Sequence, residues 1–296
     1  MKRTLNKKSR DTVTVVLFLL PSLILFGVFV YYALAYNLYL STTSWNFLTP
    51  NKNFIGLKNY VKLFSNKIFW HVLWNTTYYA LGTIILSLST GLFLAILLNM
   101  AIPLRGFFRT IFFSPYITTM AAMALLWVWI YEPTYGILNY ALEIFHITGP
   151  HWLTDPDWAM PALILMNVWK ESGYVMVIYL AGLTNIDRSL YEAAEIDGAS
   201  KWRQFWRITL PLLSPTTFFL VITSFLNAFK SFDQVAVMTA GGPANATNNL
   251  SYYIYEQAFK CFKAGYAASV AVVFFIILLI FTMIQMKLQN RWVHYQ

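Results

Sequence analysis

Ser189-Leu-Tyr-Glu-Ala-Ala-Glu-Ile-Asp-Gly-Ala-Ser-Lys-Trp-Arg-Gln-Phe-Trp-Arg-Ile-Thr-Leu-Pro211 is a polar, charge-rich stretch set between long apolar runs, in a chain that is 58% hydrophobic. Its local chemistry predicts two short helices hinged at a glycine. Ser189 and Glu192 have the spacing of a capping box, in which the hydroxyl caps the helix start and the carboxylate reaches back to the free N–H. The first helix would run from Leu190 to Asp197 and end at Gly198 in the left-handed conformation. Ser200 would cap a second helix that carries Trp202, Phe205 and Trp206 along one face at i, i+3, i+4 spacing, with Lys201, Arg203 and Arg207 pointing elsewhere. Pro211 is expected to stop that helix and turn the chain into the next apolar run.

Outward from this stretch the composition decides the fold class. Charged residues are 11% of the 296, and the mean hydropathy is +0.54. A helix that crosses a bilayer needs about 20 mostly apolar residues. Six segments satisfy that length: Thr14–Tyr36, Thr76–Asn99, Phe108–Ile130, Met160–Thr184, Thr216–Met238 and Tyr266–Met286. The expected architecture is all-α, a polytopic membrane protein with six transmembrane helices. A basic tail over residues 1–11 precedes one membrane domain over 12–296.

An even number of spans puts both termini on one side, and the basic start (Lys2, Arg3, Lys7, Lys8, Arg10) assigns that side to the cytoplasm under the positive-inside rule. The segments on that side then hold thirteen Lys/Arg and the opposite loops six. The same reasoning places the Ser189–Pro211 stretch in the cytoplasm. The net charge of +9 therefore follows membrane side rather than forming a nucleic-acid-binding face. Cys261 is the sole cysteine, so no internal disulfide forms.

The Ser189–Pro211 stretch resembles the EAA loop of permease subunits from bacterial ABC importers. That pattern is Glu-Ala-Ala, three residues, Gly, nine residues, Ile, one residue, Leu-Pro. It matches at Glu192, Ala193, Ala194, Gly198, Ile208, Leu210 and Pro211 with both gaps intact. Phe54-Ile-Gly-Leu-Lys-Asn-Tyr60, Tyr135-Gly-Ile-Leu-Asn139, Trp152-Leu-Thr-Asp-Pro156 and the run from Phe232-Asp through Gly241-Gly-Pro to Gly265-Tyr-Ala look like the carbohydrate-uptake, maltose-type branch of that family. The resemblance extends from about Phe54 to Gln285. It implies a type I importer permease fold with a core over about 70–286 and a coupling loop over 185–215 that docks on a partner ATPase. It also implies a half-transporter in a bacterial cell membrane, paired with a second homologous permease, two copies of a cytoplasmic ABC ATPase and an extracytoplasmic solute-binding protein that delivers a sugar or related polyol. ATP and Mg would be cofactors of the ATPase and not of this chain.

Polar residues inside the apolar segments are the candidates for a translocation path. A charge in a bilayer is costly unless it is paired or wetted, so it faces a cavity or the bundle interior. The fourth segment carries Lys170-Glu171 flanked by Trp169 and Tyr174, and the fifth carries Asn227, Lys230 and Asp233. Two readings stand: these groups bind sugar hydroxyls, or they form ion pairs between packed helices. Lys170 and Glu171 are adjacent, point in different directions and need separate partners. Lys230 and Asp233, at i, i+3, would pair on one helix face. Ser114-Pro115 predicts a kink in the third span. The small residues Gly82, Thr83, Ser87, Ser89, Thr90 and Gly91 predict close helix packing in the second.

Several chemistries lack their motifs. The chain has no G-x-x-x-x-G-K-[ST] phosphate loop, no H-E-x-x-H, no C-x-x-C and no G-x-S-x-G, and its four histidines are scattered. The expectation is a non-enzymatic subunit with no catalytic residues and no metal, whose ATP hydrolysis is done by a partner. A gradient-driven secondary transporter is the alternative. It is disfavoured because the two halves of the chain show no internal repeat and because such a carrier has no use for an ATPase-docking loop.

Overall fold

The structure is a computed structural model that describes residues 7–100 and 103–292. Among these the chain forms helices and no strand; Thr43 and Phe54 make an isolated bridge. Two compact units separate, one of residues 1–65 with 256–273 and one of residues 66–255 with 274–296.

The first unit begins with α1 (Lys7–Phe26), a six-residue π-helical turn over Gly27–Tyr32, and α2 (Ala33–Ser41). Pro21 sits inside α1 without ending it. The side chains of this helical run over residues 14–41 are almost all exposed, which leaves a continuous apolar surface for lipid or protein. The chain then reverses over Thr42–Trp45. Asn59, on α3 (Lys58–Phe64), donates to the carbonyls of Ser41 and Thr43 at 2.8 and 2.9 Å, and the Gly265 N–H donates to the Trp45 carbonyl at 3.0 Å. Leu57, Val61 and Phe64 are exposed while Leu63 is buried.

The second unit is built on α4 (Lys67–Asn99) packed against α8 (Pro156–Thr184). Asn66 caps α4 and Asp155 caps α8, each accepting from the N–H two residues on. The small residues of α4 set the approach: a side chain at Gly91 would lie 2.4 Å from Val175 Cγ1, and one at Gly82 would lie 2.9 Å from Ile164 Cδ1. Thr83 and Ser87 are fully buried in the same contact. This is the close packing that the sequence predicts.

The third apolar segment is not one kinked helix. It is two, α5 (Arg105–Ile117) and α6 (Met120–Ile130), meeting at 101°. Pro115 lies inside α5, and the break falls at Thr118 and Thr119. Pro115 has no N–H for the Ile111 carbonyl, which instead accepts from the Ser114 hydroxyl at 3.1 Å, so the bend need not coincide with the proline. Gly173 of α8 lets α5 approach until the Phe112 carbonyl stands 1.8 Å from where a Cβ would be.

After α7 (Ile137–Ile144) and α8 come α9 (Arg188–Ile196) and α10 (Lys201–Gln204), which continues through a π-helical turn over Phe205–Thr209 into α11 (Leu210–Leu212). The fifth apolar segment follows a 62° bend. It is also interrupted, giving α12 (Ser214–Phe229) and α13 (Asp233–Met238), and α14 (Leu250–Tyr255) and α15 (Ala264–Trp292) complete the order.

By length and apolarity, three helical runs suffice to cross a membrane (14–41, 67–99 and 264–289), or five if each bent pair makes one crossing. The fourth expected span, α8, is long enough at 29 residues but falls outside that set. Its interior carries Asn167, Lys170 and Glu171, which lower its apolarity because this helix is wrapped by others rather than by lipid. The loops that follow the fifth segment are also tied down: Asn75 donates to the carbonyls of Asn245 and Asn248 at 2.8 and 3.1 Å. Asn75 and Asn249 are both buried.

Gly173→Val should separate α5 from α8, because the obstructing atom is a backbone oxygen with no rotamer to yield. A loss of about 3 kcal/mol is expected, read as reduced folded chain in detergent by fluorescence-detected size exclusion. Gly27→Ala, where nothing lies within 4 Å, should match the parent chain in the same assay.

Candidate functional site

Two features of the second unit are candidates: the 189–211 loop and a cavity between the broken helices. In the loop, helix α9 is capped two residues earlier than the capping-box reading has it. Asp187, not Ser189, is the N-cap; its carboxylate accepts from the Ser189 N–H at 2.9 Å, and that hydrogen bond holds the carboxyl below its ordinary range. An ionised Asx acceptor two residues ahead of the N–H outcompetes a serine hydroxyl for the same helix start. Glu192 instead pairs with Arg188, one turn before it, at 3.2 Å. Both side chains are exposed, so the pair contributes little.

The hinge follows expectation. Gly198 has φ +72°, and the Ala199 and Gly198 N–H groups donate to the carbonyls of Ala194 and Glu195 at 2.9 and 3.0 Å. This is the paired bonding of a Schellman ending. Ser200 caps α10 through the Arg203 N–H at 3.4 Å. Lys201 and Glu195 form an ion pair across the hinge, and the hydrogen bond to the Lys201 ammonium draws the Glu195 carboxyl below its ordinary range. Gln204 donates to the Ala199 carbonyl at 3.1 Å, and the Tyr191 and Thr209 hydroxyls bond at 2.9 Å. The two arms are thus fastened at several points.

Pro211 does not end the second arm. The helix continues to Leu212 because the preceding turn is π-helical, and widening to i→i+5 bonding accommodates a residue without an N–H. The bend comes after it, at Leu213. Glu192, Ala193 and Gly198 lie on the exposed part of the loop, whereas Ile208, Leu210 and Pro211 are half-buried. Ile208 and Tyr191 pack against a core of Val175, Met176, Tyr179, Leu180, Leu183 and Leu213. One end of the motif faces outward and the other anchors the loop to α8. Trp202 and Trp206 remain exposed, at 71% and 49%, and touch each other and Phe205 with ring centroids 5.3–6.2 Å apart. Ile196 is 87% exposed beside them. An apolar, aromatic surface on a rigid hairpin is suited to insertion into a groove of another protein.

The cavity has a volume of about 620 Å³. Tyr116, Ile117 and Met120 line it from the α5–α6 break, and Asn227, Lys230, Ser231, Phe232 and Asp233 from the α12–α13 break. Asn167, Lys170 and Glu171 of α8 and Tyr79 of α4 close it. Five of the seven residues expected on a path, namely Lys170, Glu171, Asn227, Lys230 and Asp233, meet here. Trp169 and Tyr174 do not line it. Trp169, one residue before Lys170, projects about 100° from it; Tyr174 shares the face of Lys170 and Glu171 but is taken up by a ring of α5. Trp169 packs edge-on against Trp127, and Tyr174 stacks on the back of Tyr116 at 4.6 Å.

The expected Lys230–Asp233 pair is absent among the described residues. The helix stops at Phe229 and restarts at Asp233, so i, i+3 spacing no longer brings the two side chains over one another. The break is instead held by Asn249, which is 1% exposed and donates to the carbonyl and hydroxyl of Ser231 at 2.8 and 3.0 Å. Lys170 also lacks a carboxylate partner. Its Nζ donates to the carbonyls of Pro115, Tyr116 and Thr118 at 3.0, 2.9 and 2.7 Å. An ammonium has three donors, and all three are used. Of the five candidate path residues that meet here, Glu171, Asn227, Lys230 and Asp233 therefore remain to face the cavity.

Sequence reasoning did not select Tyr79, Tyr116, Asn167, Phe232 or Gln234 for this site. Asn167 carried a signal, standing one turn before Glu171 on an apolar helix. Tyr79 carried none; Gln234 donates to its hydroxyl at 2.7 Å across 155 residues of sequence.

With this geometry in hand, the chain can be set beside known proteins. The profile of the family described as "binding-protein-dependent transport system inner membrane component" matches residues 87–295. A probable ABC transporter permease of Pyrococcus horikoshii is 38% identical over 93% of this chain and 94% of its own length. A lactose transport system permease of Rhizobium radiobacter is 36% identical over 91% of each. Among solved structures, a chain of a bacterial ABC transporter that imports the acidic polysaccharide alginate superposes with a TM-score of 0.83 at 25% identity, covering 96% of this chain and 98% of that one. The chain belongs to the family of inner membrane components of binding-protein-dependent transport systems, the permeases of ABC importers.

Proposed function

We propose that this chain is one half of the membrane channel of a sugar importer, taking a sugar or related polyol from a solute-binding protein and passing it through the cavity between the broken helices. Its 189–211 loop docks on a cytoplasmic ABC ATPase, present in two copies, and a second homologous permease completes the channel. In this reading all six apolar segments cross the membrane, both termini are cytoplasmic, and the hairpin projects into the cytoplasm.

The observation that carries the reading is the loop. Seven motif positions fall on a fastened hairpin whose exposed end is aromatic and whose other end is rooted in α8, the helix that also lines the cavity. A push on the hairpin is therefore a push on α8. The cavity fits a polyhydroxylated cargo: carboxylates of Glu171 and Asp233 accept from paired hydroxyls, Lys230 and Asn227 donate to them, and Tyr116 and Phe232 offer ring faces. Relatives named for lactose and for trehalose/maltose transport support the sugar class. A gradient-driven carrier would need none of the loop.

Purification of the tagged chain in mild detergent should recover an ABC ATPase and a second permease by mass spectrometry; recovery of the chain alone, active in ATP-free uptake, would overturn the reading. Glu192→Ala and Gly198→Asp should each abolish ATP-driven uptake while the chain stays in the membrane. Aspartate visits the left-handed conformation more readily than most residues, so loss in that variant reports lost docking rather than a melted hinge. Normal uptake in both would remove the coupling role. Glu171→Gln and Asp233→Asn should each lower uptake about tenfold, the effect of a lost hydrogen bond to a charged group, with the ATPase activity of the purified complex retained.

A further inference from the structure

The α5–α6 break presents a physical problem with an unusual solution. The last carbonyls of a helix have no intrahelical donor and carry the negative end of the helix dipole. At this break they converge: the oxygens of Pro115, Tyr116 and Thr118 all lie within 3.0 Å of a single nitrogen, Lys170 Nζ. Lys170 is 5% exposed, and its ammonium also stands 5.5 Å from the centre of the Tyr116 ring. Among the described residues it makes no ion pair. A buried charge persists only where it is paired or fully hydrogen-bonded, and here three backbone carbonyls take up all three ammonium donors.

Such a ring of backbone carbonyls at a broken helix end is the kind of cage that holds a small cation. We propose that it is a cation site whose permanent occupant is the Lys170 ammonium, and that Lys170 is thereby the positioning residue for the cavity wall formed by Tyr116, Ile117 and Met120. The tether crosses from α8 to the elbow, so the elbow follows α8 when that helix moves. The neighbouring Glu171 faces the cavity itself, which divides the adjacent pair into one residue that builds the wall and one that lies on it. The site should be vacated by shortening the side chain and refilled by a free ammonium ion that has N–H donors.

The test uses the chain with its co-purified partners in detergent. Hydrogen–deuterium exchange is read in peptides covering 114–122, a measurement that needs neither cargo nor coupling. Lys170→Met should raise exchange at the elbow at least tenfold, the scale of a lost charge-assisted hydrogen bond. Lys170→Ala should show the same rise. Ethylammonium should restore its protection, whereas tetramethylammonium, of equal charge but without N–H donors, should not. Unchanged exchange in Lys170→Met, or a Lys170→Ala variant that ignores both ions, would overturn the proposal. If Lys170→Met fails to accumulate, Lys170→Gln, with two donors and no charge, takes its place: exchange between the parent and Lys170→Ala values supports the cation site, and parent-level exchange overturns it.

The link to transport rests on the cavity reading and is tested separately, by uptake in proteoliposomes with Lys170→Ala. Uptake restored by ethylammonium in step with elbow protection is expected. Restored protection without restored uptake would count against the role in positioning the path and leave the cation site standing. Loss of the importer reading itself would show in the partner recovery, not in the exchange.

Discussion

A helix that breaks inside an apolar bundle leaves N–H and C=O groups that no solvent will satisfy, and the second unit contains two such breaks. Irregular backbone at that depth is tolerated only where protein buries it or where it lines a cavity. Here both conditions hold at once. The α5–α6 carbonyls are gathered by Lys170 from α8, and the α12–α13 break is gathered by Asn249 from the segment before α14. Each break is held by a side chain from another element, and both open onto the same cavity. The polar lining is a consequence: where helices end, peptide groups and the residues that cap them face inward instead of toward a neighbouring helix.

The same helix, α8, connects that cavity to the hairpin. Its upper and lower surfaces are fixed against α4 by small residues, with Gly82 and Gly91 meeting Ile164 and Val175. Gly173 brings α5 to backbone contact. Beyond Val175 the helix packs against Ile208 and Leu213, the foot of the hairpin. A helix packed this closely moves as a body, because interiors transmit displacement rather than absorb it. The π-helical turn at Phe205–Thr209 lets the second arm carry Pro211 without unravelling, so the arm stays helical up to the bend at Leu213, which is itself buried against α8.

Much of this was legible in the chain. The apolar runs gave the helices, Gly198 and Ser200 gave the hinge, and the spacing from Glu192 to Pro211 gave the family. Five of the seven candidate path residues line one cavity, since a charge on an apolar helix has few places to go. What failed were inferences that required knowing where a helix stops. Ser189 lost the cap to Asp187 because both are N-cap formers two positions apart, and the helix starts at the earlier one. Lys230 and Asp233 did not pair because i, i+3 geometry presupposes an unbroken helix. Trp169 and Tyr174 were chosen for proximity in sequence, but a step of one residue turns Trp169 away, and Tyr174 is engaged by Tyr116, a contact that only the fold reveals.

By itself, then, the sequence determined the membrane class, the family and the loop, because hydrophobic run length, hinge chemistry and a spaced motif are local properties that survive without a fold. The tertiary structure decided the breaks, the partners of Lys170 and Asn249, and the cavity between them. Those depend on backbone groups of distant segments converging, as when a carbonyl at Thr118 meets an ammonium at position 170. No side-chain pattern along the chain encodes where a peptide carbonyl will be left unpaired; only the packing of one helix end against another fixes it.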